Sequence, residues 1–286
     1  MRPLFVQIKG VFLMMCPSTK KQILADSHTH SRNSFDGSAS VRALCEGARR
    51  RGIRYLTVTD HYDCNELPAE NLGKTQKASF AEISACAQGA PETVTVLSGM
   101  ELGQPLQALA WAERLLAAEP CDFVLGSLHN LENFSDFYDL DYTAQPLEPL
   151  FDRYFSEMLD MIAWGNFDSL AHLSYPLRYL PDGFSQAAAY FKSGQDSVLR
   201  ALAKAGKALE INTSGLRQRI GVTLPDADTV RRFRELGGEL ITLGSDAHTA
   251  EDVGAGIAEG VSIAAAAGFS QIAVYRNRKP ELLPIE

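Results

Sequence analysis

The chain carries six histidines, and each closes a short apolar, strand-like run. None falls in a helix-patterned segment. His28 and His30 end the run that starts at Gln22, His61 follows Ile53 to Val58, and His129 follows Phe123 to Leu128. His172 follows Phe167 to Ala171, and His248 follows Leu240 to Leu243. Carboxylates stand beside them: Asp36, Asp60, Glu101 and Asp246. Imidazole-rich ligation suits zinc, iron or manganese, whereas magnesium and calcium prefer oxygen. His28-Thr-His30 is the strongest local element, because residues two apart on a strand project to the same side and can share one metal. Adding Asp36, His61, Glu101, His129, His172, Asp246 and His248 gives nine candidate ligands in all. A catalytic metal takes roughly three or four protein ligands, so nine correspond to two or three cations with shared carboxylates. Asp36, Glu101 and Asp246 each also have a plainer reading, as turn residue, strand-end cap or solvated acid.

Such a set requires elements that bring six strand ends to one place. Apolar β-rich runs alternate with longer amphipathic segments from residue 22 nearly to the end. Strands are expected at 22–26, 53–58, 94–101, 122–126, 167–171, 208–212 and 240–243, with one more short strand at 272–275. Helices are expected at about 40–50, 79–88, 105–118, 148–164, 186–205, 226–236 and 251–267. Ser38 or Ser40 is a suitable cap for the first helix and Gly52 a suitable stop. Seven β/α units without a Gly-, Ser- or Pro-rich linker imply one domain over residues 22–286. A closed barrel is preferred to an open sheet, since nearly every strand end carries a polar residue rather than one switch point carrying all of them.

Composition narrows the function classes. A chain of 286 residues, 45% hydrophobic and 22% charged, is an ordinary soluble protein with a sizeable core. A net charge of −8 argues against nucleic acid as a partner, although bound divalent cations can still create a site for an anion. Five scattered cysteines without a Cys-x-x-Cys pair are expected to be free thiols in a reducing cytoplasm. Cys64 is close to His61 in sequence and is read as a passive thiol. No dinucleotide or phosphate-loop fingerprint occurs. Residues 1–21 are apolar, but Gln7 and Lys9 interrupt them and no run is long enough for export or a membrane span. They are read as a loosely attached extension that reflects a start assigned upstream of Met14 or Met15.

The set Asp26-Ser-His-Thr-His30, Thr59-Asp-His61, Gly99-Met-Glu101, Gly126-Ser-Leu-His129, Ala171-His172 and Gly244-Ser-Asp-Ala-His248 resembles the polymerase-and-histidinol-phosphatase (PHP) family. The resemblance runs from about residue 22 to 275. Within the family, Leu209-Glu-Ile-Asn-Thr-Ser-Gly-Leu-Arg217 is most similar to the monofunctional histidinol-phosphate phosphatases. It implies a distorted (β/α)7 TIM-like barrel with a trinuclear centre of zinc, manganese or iron. By that resemblance His28, His30, Glu101 and Asp246 would hold one metal. Glu101, His129 and His172 would hold a second, and Asp36, His61 and His248 the third. The implied reaction is hydrolysis of L-histidinol phosphate, with a small phosphomonoester as the partner and no call for a membrane; the oligomeric state is left open.

The chemistry agrees. Uncatalysed phosphomonoester hydrolysis is among the slowest biological reactions, and clustered cations neutralise the phosphoryl oxygens and acidify water. No phosphate-accepting nucleophile is evident, so direct in-line attack by metal-activated water is expected. Glu101 and Asp246 are the expected catalytic carboxylates, and Asp60 is expected to orient a ligand histidine. Arg178 and Arg217 follow strand ends, where a planar guanidinium can grip two phosphate oxygens. The acidic, aromatic loop from Asn130 to Tyr142 suits the cationic amine and imidazole of histidinol, but for any one of its residues ordinary loop acidity is the plainer reading. Rival readings are a broader phosphoesterase, including a protein-tyrosine phosphatase or nuclease, and a non-catalytic metal-binding barrel. An amidohydrolase is a further rival, but no lysine stands at a strand end as those barrels usually require.

Overall fold

Short Val-, Ile- and Leu-rich runs can be buried on both faces only when helices cover a parallel sheet, and this is what the chain builds. The computed structural model describes residues 5–8, 11–14, 24–65, 69–90, 93–183 and 185–285. At the start, β1 (Phe5–Ile8) and β2 (Val11–Met14) pair as an antiparallel hairpin. How the rest of residues 1–21 is attached lies outside the described residues.

Seven strands then form the main sheet. They are β3 (Leu24–Asp26), β4 (Ile53–Val58), β6 (Thr95–Gly103), β7 (Phe123–Ser127), β8 (Ser169–Leu170), β9 (Ala208–Asn212) and β10 (Ile241–Gly244). Their spatial order is β3-β4-β6-β7-β8-β9-β10, every pair parallel, and a three-residue strand, β5 (His61–Asp63), pairs with β6 off that path. The two end strands are tied without a ladder. The Ser27 amide donates to Leu243 O, that of Asp246 to His28 O, and that of His30 to Ala247 O, each at 2.8 Å. The Asp26 carboxylate clasps the same seam, accepting from Ser245 N (2.8 Å), Ser245 Oγ (2.6 Å) and Gly254 N (2.7 Å). The expected seven-stranded barrel is the observed one, and its closing seam runs through His28, His30 and Asp246.

The covering helices are α1 (Val41–Arg51), α2 (Ala69–Gly89), α3 (Leu109–Ala118), α4 (Leu147–Trp164), α5 (Ser185–Gly194), α6 (Asp196–Lys204), α7 (Ala227–Glu235) and α8 (Ile257–Ala266). Ser40 caps α1 by accepting from Ala43 N, and Gly52 ends it at φ 73°. The single helix expected over 186–205 is two, broken at Gln195, because Gly194 packs against the Phe155 ring and the chain turns there. The helix expected from 251 begins only at Ile257, since Gly254 and Gly256 adopt positive φ. The strand expected at 272–275 does not join the barrel. It is β11 (Gln271–Arg276), paired antiparallel with β12 (Lys279–Pro284), and its Tyr275 packs on Phe123 beneath the barrel. Cys45, Cys64 and Cys121 are buried free thiols; Cys64 Sγ donates to Tyr62 O and stays outside the histidine cluster. Among the described residues no helix is long and apolar enough to cross a membrane.

Candidate metal centre

Glu101 is the hub. It lies on β6 with its side chain fully buried, where an unpaired carboxylate would be costly. Five histidines surround it. Its Oε2 is 3.1 Å from His28 Nε2, 3.5 Å from His30 Nε2 and 3.1 Å from His61 Nδ1. Its Oε1 is 3.1 Å from His129 Nε2 and 2.9 Å from His172 Nε2. One carboxylate thus spans two groups of imidazoles, one per oxygen.

The other carboxylates complete the cluster. Asp246 Oδ1 lies 3.3 Å from His30 Nε2 and 3.7 Å from both His28 Nε2 and His248 Nδ1. Its φ of 53° is left-handed, a conformation that aspartate tolerates better than most residues. Asp36, on an exposed turn, approaches His248 Nε2 at 2.9 Å and His61 Nε2 at 3.6 Å. All nine expected side chains therefore come together, and four overlapping groups have donor atoms close enough for an ion: His28–His30–Asp246, His28–Glu101–His172, His30–His61–His248 and His61–Asp63–His129. His30 Nε2 and His61 Nδ1 are buried without a hydrogen-bond partner although both face carboxylate oxygens. Buried nitrogens that lack a protein partner and converge on acids are what a divalent cation would satisfy, so the residues present fit such metals.

Protonation follows from crowding. Burial drives His30 down to about 3, reinforced by the neighbouring His61 and His248, so its imidazole is neutral and free to ligate. Burial alone would raise Glu101, but His28, His61 and His129 together hold it well below its ordinary value. Asp246 is likewise held low against burial by His28, His30 and Arg178.

Carboxylates outside the expected nine hold the histidines from behind. Glu210 Oε1 accepts from His28 Nδ1 at 2.6 Å, and Asp63 Oδ1 from His129 Nδ1 at 2.8 Å. Such partners orient a ligating imidazole and raise its basicity. Both were legible in principle: Glu210 is an acid inside an otherwise apolar strand run, and Asp63 stands two residues from His61. Asp60 stands one step further back than its neighbours. Its carboxylate meets no histidine, because Ser31 N (2.6 Å), Ser31 Oγ (2.8 Å), Ser34 Oγ (3.0 Å) and Ser79 Oγ (2.5 Å) surround it. It reaches His30 only through Ser34, whose Oγ is 3.3 Å from His30 Nδ1.

The cluster opens into a cavity of about 100 Å³, smaller than the roughly 300–1,000 Å³ of typical ligand pockets. Phe35, Asp136, Tyr175, Arg178 and Tyr179 complete its wall. Arg178 Nη2 donates to Asp246 Oδ2 at 3.1 Å and to Ser214 Oγ at 2.5 Å, while its buried Nε has no partner. Arg217 is not among the lining residues. Its Nη2 donates to Ser245 O (2.9 Å) and Asp246 O (3.4 Å), and its Nε pairs with Asp252 at 3.4 Å. The two arginines therefore stand differently: one faces the cavity, the other braces the backbone behind Asp246.

Comparison with known proteins agrees with this geometry. A family model described as the PHP domain matches residues 26–214. The chain is 27% identical over 259 residues to a histidinol-phosphatase of Lactococcus lactis, covering 89% of this chain and 95% of that one. It is 30% identical over 241 residues to a probable histidinol-phosphatase of Thermotoga maritima, covering 82% and 89%. The crystal structure of the histidinol phosphate phosphatase from Lactococcus lactis, complexed with zinc, L-histidinol and phosphate, superposes with a TM-score of 0.78 at 26% identity. That match covers 91% of this chain and all 100% of that one.

Proposed function

The chain belongs to the PHP domain family, and from that premise we propose that it is a metal-dependent phosphatase hydrolysing L-histidinol phosphate to L-histidinol and phosphate, a step of histidine biosynthesis. One observation carries the reading. Donor atoms converge on Glu101 in a chain that is alike, over 91% of its length, to a structure holding zinc, L-histidinol and phosphate.

Two or three cations of zinc, manganese or iron are assigned to the cluster. His28, His30, Glu101 and Asp246 would hold one, Glu101, His129 and His172 a second, and Asp36, His61 and His248 a third. Bound there, divalent cations supply charge neutralisation for the phosphoryl group, acidification of water and stabilisation of the leaving alkoxide. The chain's own residues do the rest. Arg178, whose side chain lines the cavity, binds the phosphoryl oxygens, and its bond to Asp246 fixes the guanidinium in that pose. Asp63 and Glu210 accept from Nδ1 of His129 and His28, which would leave Nε2 of each facing inward to ligate once a cation displaces its proton. Tyr175, set 5.0 Å from both the His129 and His172 rings, and Phe35 narrow the mouth against bulk water.

The test is steady-state hydrolysis by metal-replete protein of L-histidinol phosphate beside a panel of phosphomonoesters, with released phosphate measured. Preference for L-histidinol phosphate is expected. Equal or better turnover of unrelated esters would replace this assignment with a broad phosphoesterase. Absence of turnover on every ester, with metal bound, would leave a non-catalytic metal-binding barrel.

A further inference from the structure

The cavity beside the histidines is too small for more than a phosphoryl group and little else, so the remainder of a substrate must lie along its rim. One acid stands there. The loop from Asn130 to Tyr142 carries Glu132, Asp136, Asp139 and Asp141, and of these Asp136 alone lines the cavity. Its Oδ1 accepts from Tyr138 N at 2.7 Å and from the Tyr175 hydroxyl at 3.1 Å. Among the described residues no hydrogen bond engages Oδ2, and no lysine or arginine pairs with Asp136. The side chain is half-buried, and its loop is pinned nearby: Phe137 is buried and donates from its amide to His129 O at 3.0 Å, and the Tyr142 hydroxyl donates to Phe137 O at 3.1 Å.

An uncompensated carboxylate in a pocket for a phosphate dianion repels the very group the pocket takes. The placement makes sense when the other end of the substrate is a cation. The neighbouring rings do not hold that cation, because the Arg178 guanidinium already stands over Tyr175 and Tyr179, 5.1 and 5.9 Å from their centroids, which leaves the carboxylate as its partner. We infer that Asp136, held in place by Tyr138 N–H and the Tyr175 hydroxyl, is a specificity-determining residue that binds the cationic end of a phosphomonoester bearing an amine. This rests on the phosphatase reading above and extends it from the reaction to the chemistry of the leaving group.

The experiment compares wild-type protein with Asp136→Asn, both metal-replete, on two matched pairs. The first is L-histidinol phosphate against phenyl phosphate, and the second is 4-aminobutyl phosphate against butyl phosphate. Asparagine keeps an oxygen for Tyr138 N–H and the Tyr175 hydroxyl and removes only the charge. For the amine-bearing esters, kcat/KM should fall about ten- to a hundredfold, mostly through KM, as loss of a charge-assisted contact does. For the neutral esters it should stay within about twofold or rise. An equal fall on amine and neutral esters, or no fall on either, overturns the assignment even where L-histidinol phosphate is the preferred wild-type substrate. Should the wild type ignore L-histidinol phosphate while Asp136→Asn still lowers the aminobutyl-to-butyl ratio, the histidinol assignment fails and the cation subsite stands.

Discussion

His28 Nδ1 lies 2.6 Å from Glu210 Oε1, and Gly244 on the neighbouring strand faces both. A Cβ at Gly244 would stand 2.2 Å from that carboxylate oxygen and 2.4 Å from the His28 Cβ, so only glycine allows the pair to form. Gly103 makes the same allowance for Asp63, whose Oδ1 a Cβ would meet at 2.0 Å. Each supporting carboxylate therefore depends on a glycine one strand away. Glu210→Gln should lower metal affinity about ten- to a hundredfold while leaving the fold intact. Gly244→Ala should do the same by expelling Glu210. Metal titration with circular dichroism decides it; unaltered affinity in both variants would reduce Glu210 to a packing residue.

Glu101→Gln should abolish activity and lower metal content. The amide carries no charge and offers one oxygen where two now serve separate imidazole groups. Near-normal turnover together with full metal occupancy by elemental analysis would eliminate the bridging role.

The arginines should separate. Arg178→Ala removes a buried guanidinium aimed into the cavity and should cost about 2–4 kcal/mol of transition-state binding, roughly thirty- to a thousandfold in kcat/KM. Arg217→Ala removes a backbone brace and should cost less, through the position of Asp246. Kinetics on both variants at equal metal content provide the comparison, and an Arg217 effect as large as that of Arg178 would show that Arg217 also reaches the phosphate.

Asp36→Ala should remove about one metal equivalent and most of the activity. Among the described residues Asp36 is the carboxylate offered to both His248 Nε2 and His61 Nε2. Anomalous scattering at several metal edges would locate each ion. A variant that keeps every ion replaces the three-metal assignment with a two-metal one.

Away from the site, Asp226 caps α7 by accepting from Thr229 N at 3.0 Å and pairs with Lys192 at 2.5 Å. Burial opposes its charge, yet Lys192 and Thr229 hold its carboxyl below the ordinary 3.8. With the folded value depressed, the stabilisation is present above about pH 4 and is lost as pH falls through the folded value. Asp226→Ala should cost about 0.5–2 kcal/mol at neutral pH, a cap's usual worth. The difference in melting temperature from wild type should shrink as the pH drops below 4; a constant difference would mean that the charge contributes nothing.

The nine clustered side chains were legible before any fold was known, because strands in a parallel barrel end at one mouth and their terminal residues are therefore neighbours. Strand runs, the Ser40 and Gly52 caps and the β/α alternation needed only local pattern. That Asp60 reaches His30 through Ser34, and not directly, was hidden. Asp60 occupies a strand end as the others do, but Ser31, Ser34 and Ser79 approach it from separate segments and take its oxygens. The break at Gln195 was equally hidden, since Phe155, some forty residues earlier, decides where that helix stops.

Sequence by itself determined which strand ends carry the candidate ligands and what metal chemistry their residue types suit, since residue type and period-two or period-3.6 spacing are local properties. Only tertiary structure decided which oxygen of Glu101 serves which imidazole, and that Glu210 and Asp63 stand behind His28 and His129. It also decided that Arg178 faces the cavity while Arg217 faces backbone, and which of four loop acids reaches the rim. These are distances between segments 28 to 182 residues apart, set by how the barrel curls and closes rather than by any residue's neighbours in the chain.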